Sequence, residues 1–217
     1  MPEPNMAVII CTRNRPVHVL DALDDVMAQA SDDAEIVVVE QSDPAMFDDV
    51  RRAVVERCDE RIRLIQAPPD GLPAARNLGL TATRSPIVLF VDDDVRLRPG
   101  CLEGHLQRYE DPRVGGVVGQ IFEETVRPNT PSTANRISRS GRVITNLNGP
   151  DRVEVGILKG ANMSFRRAAL EAAGPFDCAY KGNAFLEDAD MSTRVRRAGY
   201  SLAYEPSAAL HHLSAPM

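Results

Sequence analysis

The sequence has no tryptophan, almost no lysine and no long apolar run. Of its 25 basic residues only Lys159 and Lys181 are lysine. The planar fork of arginine suits a two-point grip on carboxylate or phosphate, although a GC-rich genome would produce the same bias. The longest apolar stretches, Met6 to Cys11, Ile36 to Val39 and Ile87 to Val91, have the length of strands. A membrane-spanning helix needs about 20 such residues, so no transmembrane segment is expected. A charged-then-apolar leader with a small-residue cleavage site is also missing, which argues against secretion and makes the cytoplasm the expected location.

Closely spaced cysteines are lacking too. Cys11, Cys58, Cys101 and Cys178 are separated by 47, 43 and 77 residues, whereas zinc knuckles and redox dithiols need partners about two to four residues apart. Basic tracts are absent, and the net charge of the chain is −6. That balance excludes the electrostatic footprint of a duplex-binding domain, so no nucleic-acid partner is expected. The acidity is local: residues 21 to 60 hold 13 acids against 3 arginines. With 43% hydrophobic and 26% charged residues in 217, what remains is an ordinary globular chain able to bury one sizeable core.

The apolar runs recur in a fixed relation to helical patterns. Met6 to Cys11 reads as a buried strand, and Pro16 then opens a helix with apolar spacing through Val19, Leu20, Leu23, Val26 and Met27. Glu35 to Val39 is a second strand, after which Asp43 caps and Pro44 begins a helix to about Cys58. Arg61 to Gln66 alternates as a third strand, with the arginines outward and Ile62, Leu64 and, by register, Gln66 inward. Pro68 to Gly71 break the chain before an alanine-rich helix over about 72–82. Ile87 to Val91, apolar at every position, fits a central strand covered on both faces. Such alternation implies a mainly parallel sheet with helices on both sides, in one domain, with ligands bound outside the carboxyl ends of the strands.

The pattern weakens from Glu124 to Arg152, a stretch rich in Pro, Asn, Ser, Thr and Arg, where a flexible loop is expected. It would serve either as a cover that orders over bound ligand or as a solvated loop. Beyond it a strand is expected at Asn162 to Arg166, helices at Arg167 to Ala173 and Glu187 to Arg197, and an extended pair at Ser201 to Tyr204 and Ala208 to His211.

Asp92, Asp93 and Asp94 follow directly on the central strand. Adjacent carboxylates at a buried strand end repel one another and need positive charge. In extended backbone Asp92 and Asp94 share a face while Asp93 points away. Hard oxygen ligands so spaced suit Mg2+ or Mn2+. The alternatives are neutralisation by Arg96 and Arg98 or a solvated turn. Glu187, Asp188 and Asp190 open a helix, either as complements to its dipole or with one carboxylate placed as a general base. His211 and His212 end an apolar stretch as filler or as metal ligands.

These pieces, taken in order, resemble glycosyltransferase family 2 of the GT-A fold. The resemblance is carried by Val8 to Pro16, Glu35 to Asp43, Gly71 to Gly79, the Asp92-Asp93-Asp94 triplet, Gly160 to Arg166, Gly174 to Asp177 and Glu187-Asp188, collinear from Met6 to His212. It implies a GT-A, Rossmann-like, mixed but mainly parallel sheet, with residues 1–98 as the nucleotide-sugar half and 99–217 as the acceptor and catalytic half. It implies Thr12 and Arg13 near base and ribose, Glu40 where aspartate is commoner, with Asp43 close by, and Arg76 near the diphosphate. Asp92 would lie nearer the ribose with Asp93 beside it, Asp94 and Asp92 would hold metal with His211 or His212, and Asp188 of the Glu187-Asp188 pair would be the catalytic base.

The activity so implied is metal-dependent, inverting transfer of a sugar from a UDP-, GDP- or dTDP-sugar to an acceptor hydroxyl, with Mn2+ or Mg2+, and it leaves room for peripheral association with a membrane. A retaining transferase, a nucleotidyltransferase on a similar sheet, or a module that binds nucleotide sugar without turnover are the rivals.

Overall fold

The computed structural model describes residues 5–123, 134–181 and 184–213. The first half alternates strand and helix: β1 (Met6–Thr12), α1 (Pro16–Met27), β2 (Glu35–Glu40), α2 (Pro44–Glu56), β3 (Ile62–Gln66), α3 (Leu72–Thr81), β4 (Ile87–Asp92) and β5 (Val95–Leu97). The second half runs α4 (Cys101–Gln107), β6 (Val114–Glu123), β7 (Ala134–Ile137), β8 (Val143–Asn146), β9 (Val153–Glu154), β10 (Asn162–Arg166), α5 (Arg167–Ala173), α6 (Glu187–Arg197) and β11 (Ser201–His212).

One sheet gathers nine of these strands, in the order β3-β2-β1-β4-β10-β6-β11-β5 with β9 paired beside β11. The strands β3, β2, β1 and β4 are mutually parallel, whereas β10 enters antiparallel between β4 and β6. The core lies along β1, β2 and β4, whose residues Val8, Ile9, Val38 and Leu89 are fully buried. Burying one such side chain stabilises by about 1.5–3 kcal/mol, and continuous apolar strands are what a sheet covered on both faces requires.

Local chemistry explains where the helices begin. Pro16 and Pro44 stand in the first turns of α1 and α2, and Asp43 caps α2 by accepting from the Ala45 and Met46 amides at 3.0 and 3.1 Å. Gly79 lets α3 sit tight on the sheet, since a Cβ there would meet Ile9 Cγ2 at 2.6 Å.

Three sequence expectations need correction. Gln66 is exposed rather than inward, because β3 is the sheet's edge strand and Gln66 stands on a cavity wall at its end. Within the stretch expected as a flexible loop, β7 and β8 pair as an antiparallel hairpin, while residues 124–133 lie outside the described part. The two extended segments near the end are one strand, β11, whose register on β6 shifts between Glu205 and Leu210. Strand β6 went unread because Gly115, Gly116 and Gly119 depress strand propensity. Each glycine is demanded by packing: a Cβ at Gly119 would lie 1.8 Å from the Ala208 carbonyl oxygen.

Candidate active site

The carboxyl ends of β1, β2 and β3 enclose an open cavity of about 650 Å³, lined by Arg13, Asn14, Gln41, Ser42, Asp43, Gln66 and Pro68 among others. Arg13 and Asp43 stand on its wall. Glu40 lies fully buried behind it, accepting from the Ser42 amide at 2.8 Å through Oε1, while Oε2 has no hydrogen-bond partner. Thr12 does not reach the cavity. Its hydroxyl is buried and donates to Asp93 Oδ2 at 2.7 Å.

The aspartate triplet spans the end of β4 at Asp92 and a bend at Asp93 and Asp94 that leads into β5. Asp93 turns toward the loop after β1, where Thr12 holds one oxygen and Arg15 Nη1 donates to the other at 2.9 Å. Arg15 also reaches Asp94 Oδ2 at 3.2 Å. The sequence alternative of Arg96 and Arg98 fails, because Arg96 pairs with Asp25 at 2.7 Å and Arg98 lies 5.1 Å from the Phe122 ring centroid. Arg15 was missed as a counter-charge because only the parallel pairing of β1 with β4 brings the two loops side by side.

Asp92 and Asp94 turn the other way and meet His212. The three offer ligand atoms that all lie within 4.8 Å of one another, the group of this kind found among the described residues. His212 Nε2 is 3.3 Å from Asp94 Oδ1 and 3.9 Å from Asp92 Oδ2. Topology delivers it: β5 leaves the triplet directly and pairs antiparallel with β11, setting His212 opposite Val95, and the Leu213 amide bonds the Asp94 carbonyl at 2.8 Å. His211, one residue earlier, faces away and stacks on Phe122 with ring centroids 5.1 Å apart. It lies outside the carboxylate group, as the two-residue period of a strand dictates.

Arg76 is fully buried beneath the triplet. Its Nη1 pairs with Glu187 Oε1, and Nη2 lies 3.3 Å from the Gly160 carbonyl oxygen and 3.6 Å from Asp92 Oδ1. Phe90 and Phe176 flank its guanidinium at 5.7 and 5.5 Å. Arg76 and Glu187 therefore face each other, and Glu187 is core rather than an exposed dipole complement. Asp188, next along α6, accepts from the Gly160 amide at 2.9 Å through Oδ2. It lines a second cavity of about 290 Å³ with Asp92, His212, Lys159, Thr145 and Phe185.

Carboxylates dominate the electrostatics of this centre. Burial pushes the Asp92, Asp93 and Glu187 carboxyls above the usual range, Arg76 opposing it for Asp92 and Glu187, and Thr12 and Arg15 for Asp93. The hydrogen bond to Asp94 raises His212. Four carboxylates, Asp92, Asp93, Asp94 and Glu187, share two guanidiniums, Arg15 and Arg76. Carboxylates gathered in this way are costly to bury without cationic partners. Two carboxylates and an imidazole are a donor set that Mn2+ accepts, and Mg2+ is held by the carboxylates. The residues present fit a divalent cation.

Comparison with known proteins agrees with this architecture. The model of the family described as "Glycosyl transferase family 2" matches residues 7–174. Among curated proteins, the pre-mycofactocin glycosyltransferase of Mycobacterium tuberculosis is 32% identical over 144 residues, 65% of this chain and 30% of that protein. Glycosyltransferase AglE of Haloferax volcanii is 25% identical over 206 residues, 93% of this chain and 64% of the relative. Of solved structures, mannosyltransferase PcManGT from Pyrobaculum calidifontis, in complex with GDP-Man and Mn2+, superposes with a TM-score of 0.75 at 21% identity, covering 98% of this chain and 58% of that one. GalNAc-T7 with UDP, GalNAc and Mn2+ gives 0.81 at 13% identity, covering 97% and 44%.

The fold is thus that of the GT-A glycosyltransferases, a mainly parallel sheet with its polar centre at the strand ends. The chain belongs to glycosyl transferase family 2. It spans 30% of the length of the Mycobacterium tuberculosis relative. No helix among the described residues is long and apolar enough to cross a membrane.

Proposed function

We propose that the chain transfers a sugar from a nucleotide-diphospho-sugar to an acceptor hydroxyl, with inversion at the anomeric carbon and with Mn2+ or Mg2+ as cofactor. The observation that carries this reading is the convergence of Asp92, Asp94 and His212, whose ligand atoms lie within 4.8 Å of one another, with Asp92 and His212 on the wall of the smaller cavity. Asp94, Asp92 and His212 would hold the cation. When bound, the cation neutralises the charge that develops on a departing diphosphate.

The base and ribose belong in the larger cavity, beside Arg13 and Asp43, with Glu40 behind it offering an unpaired carboxylate oxygen. Thr12 and Asp93 act on this site indirectly, by clamping the loop after β1 to the end of β4. Arg76 and Glu187 fix α6 beneath the triplet, so that Asp188 projects into the smaller cavity. There Asp188 takes the proton of the acceptor hydroxyl. A carboxylate so placed, apart from the group that neutralises the leaving group, gives the division of labour that single displacement needs.

The solved structures of similar fold hold GDP-Man, or UDP and GalNAc, together with Mn2+, which supports a nucleotide sugar and a divalent ion here as well. Calorimetry with Mn2+ and a panel of UDP-, GDP- and dTDP-sugars tests donor binding, and a complete absence of heat defeats the reading. The anomeric configuration of the product separates inversion from retention, and release of pyrophosphate would expose a nucleotidyltransferase.

A further inference from the structure

The loop after β1 brings a permanent positive charge to the carboxylates read above as metal ligands. Arg15 is the last residue before α1, and its carbonyl accepts from the Val19 amide at 3.1 Å, which fixes its backbone to the helix. The two residues before it face elsewhere. Arg13 and Asn14 line the larger cavity, and Asn14, at φ +60°, donates its amide to Ser42 Oγ. From this anchored position one nitrogen of Arg15, Nη1, serves two aspartates, lying 2.9 Å from Asp93 Oδ1 and 3.2 Å from Asp94 Oδ2. The other carboxylate oxygen of Asp94 is 3.3 Å from His212 Nε2. Asp93 is outside the group of converging ligand atoms, yet it is held twice, by Arg15 and by the Thr12 hydroxyl at 2.7 Å.

We propose that Arg15 and the divalent cation compete for Asp94, and that Asp93 is the carboxylate that keeps Arg15 when the cation takes Asp94. This rests on the reading of Asp92, Asp94 and His212 as the ligands of the cation. A guanidinium and a metal ion on one carboxylate repel each other, and at a part-buried site solvent and salt screen that repulsion poorly. Histidine avoids the conflict by binding metal as the neutral imidazole. Arginine has no such escape, because it stays protonated across the whole working range of pH. Its charge leaves the cation's surroundings by moving, and a part-buried charge moves at tolerable cost where another carboxylate receives it. Asp93 is that carboxylate, oriented in advance by Thr12. Arg15 is therefore a positioning residue that acts on the cation through Asp94. The competition lowers the affinity of the three ligands for a cation by themselves, so the oxygens of a bound diphosphate supply the remainder.

Mn2+ binding by the chain without nucleotide, read as the free-ion signal in electron paramagnetic resonance, separates competition from support. Removing a residue that merely orients Asp94 weakens binding, whereas removing a competitor strengthens it. Arg15→Gln should tighten Mn2+ binding by about fivefold or more, and Arg15→Lys, which returns a positive charge on a single nitrogen, should stay within about twofold of the parent. Asp93→Asn takes away the alternative partner and leaves Arg15 to Asp94, so it should weaken Mn2+ binding by about fivefold in the parent but by less than about twofold in the Arg15→Gln background. Unchanged or weaker binding in Arg15→Gln, equal tightening by Gln and Lys, or an Asp93→Asn effect of one size in both backgrounds overturns the proposal. Should Arg15→Gln not fold, Asp93→Asn alone decides, and unchanged Mn2+ affinity there overturns it. Failure of the metal reading itself looks different: neither the parent nor any variant binds Mn2+, and the proposal falls with that reading.

Discussion

Arg76 and Glu187, 111 positions apart in the chain, form an ion pair inside the protein with side chains only 2% and 5% exposed. The pair ties α3 to α6 beneath Asp92, and Glu187 Oε2 has no hydrogen-bond partner of its own. Breaking such a pair from one side leaves a buried charge uncompensated, which costs about 3–5 kcal/mol, whereas replacing both partners by apolar groups of similar size is often neutral. Glu187→Gln and Arg76→Met should each lower unfolding free energy by about 3 kcal/mol, and the Arg76→Met/Glu187→Met double variant should recover much of that loss. Urea unfolding of the three proteins measures it. Single variants within about 1 kcal/mol of the parent would refute the structural role given to the pair.

The two adjacent histidines make a sharper contrast. His212 lies 3.3 Å from Asp94 whereas His211 stacks on Phe122, so only one of them can bind the cation with the aspartates. Asp94→Asn and His212→Gln should each weaken Mn2+ binding by at least about tenfold, and His211→Gln should change it by less than about twofold. Electron paramagnetic resonance of free Mn2+ reads this without turnover. Equal losses from both histidines would reject the assignment.

How legible this was in the sequence depends on the range of the interaction. The strand and helix sequence up to β4 follows from local pattern, because continuous apolar runs, first-turn prolines and the Asp43 cap act within a few residues. Strand period separates Asp93 from Asp92 only in part, because residues 93 and 94 form a bend between β4 and β5 and Arg15 reaches Asp93 and Asp94 alike. What joins His212 to Asp94, Arg15 to Asp93 and Arg76 to Glu187 is topology, and sequence separations of 78 to 118 leave no local trace of it. The resemblance places Arg76 near a diphosphate, and its buried pairing with Glu187 carries no sequence signal of its own.

Asp188 differs from Glu187 in what surrounds it. It lines the smaller cavity and is held by a single backbone amide of the Gly160 turn and its own helix, with no arginine pair among the described ion pairs. Asp188→Asn preserves shape and the ability to accept from Gly160, yet removes the capacity to take a proton. Turnover should fall by about 10²–10⁴-fold with donor affinity nearly intact. Asparagine at this position with parental turnover would require another base.

Far from the site, His105 gives the fold a pH dependence of its own. It lies fully buried on α4, with Nδ1 2.8 Å from Ser164 Oγ and Nε2 2.8 Å from Asn162 Oδ1, both on β10. Tyr109 shares Ser164 at 2.8 Å, and Glu205 of β11 is the carboxylate that faces the ring. Burial lowers the His105 pKa from 6.5 to about 4 despite the Asn162 hydrogen bond and Glu205, both of which favour the charged ring. Between those values the unfolded chain binds a proton that the folded chain refuses, so stability rises with pH across this window and is fully present above it. The depressed value withdraws up to about 3 kcal/mol as pH falls from about 6.5 to about 4. Carboxylates such as Glu35, held below the usual range by Ser85 and the Arg84 amide against the opposing effect of burial, lose stability at the acid end of the same range. The contribution of His105 is therefore isolated as a difference from His105→Gln, which keeps hydrogen-bonding groups without titrating. Unfolding free energies at pH 7 and pH 4.5 should fall more steeply in the parent than in this variant, and parallel slopes would show that the buried imidazole does not resist protonation.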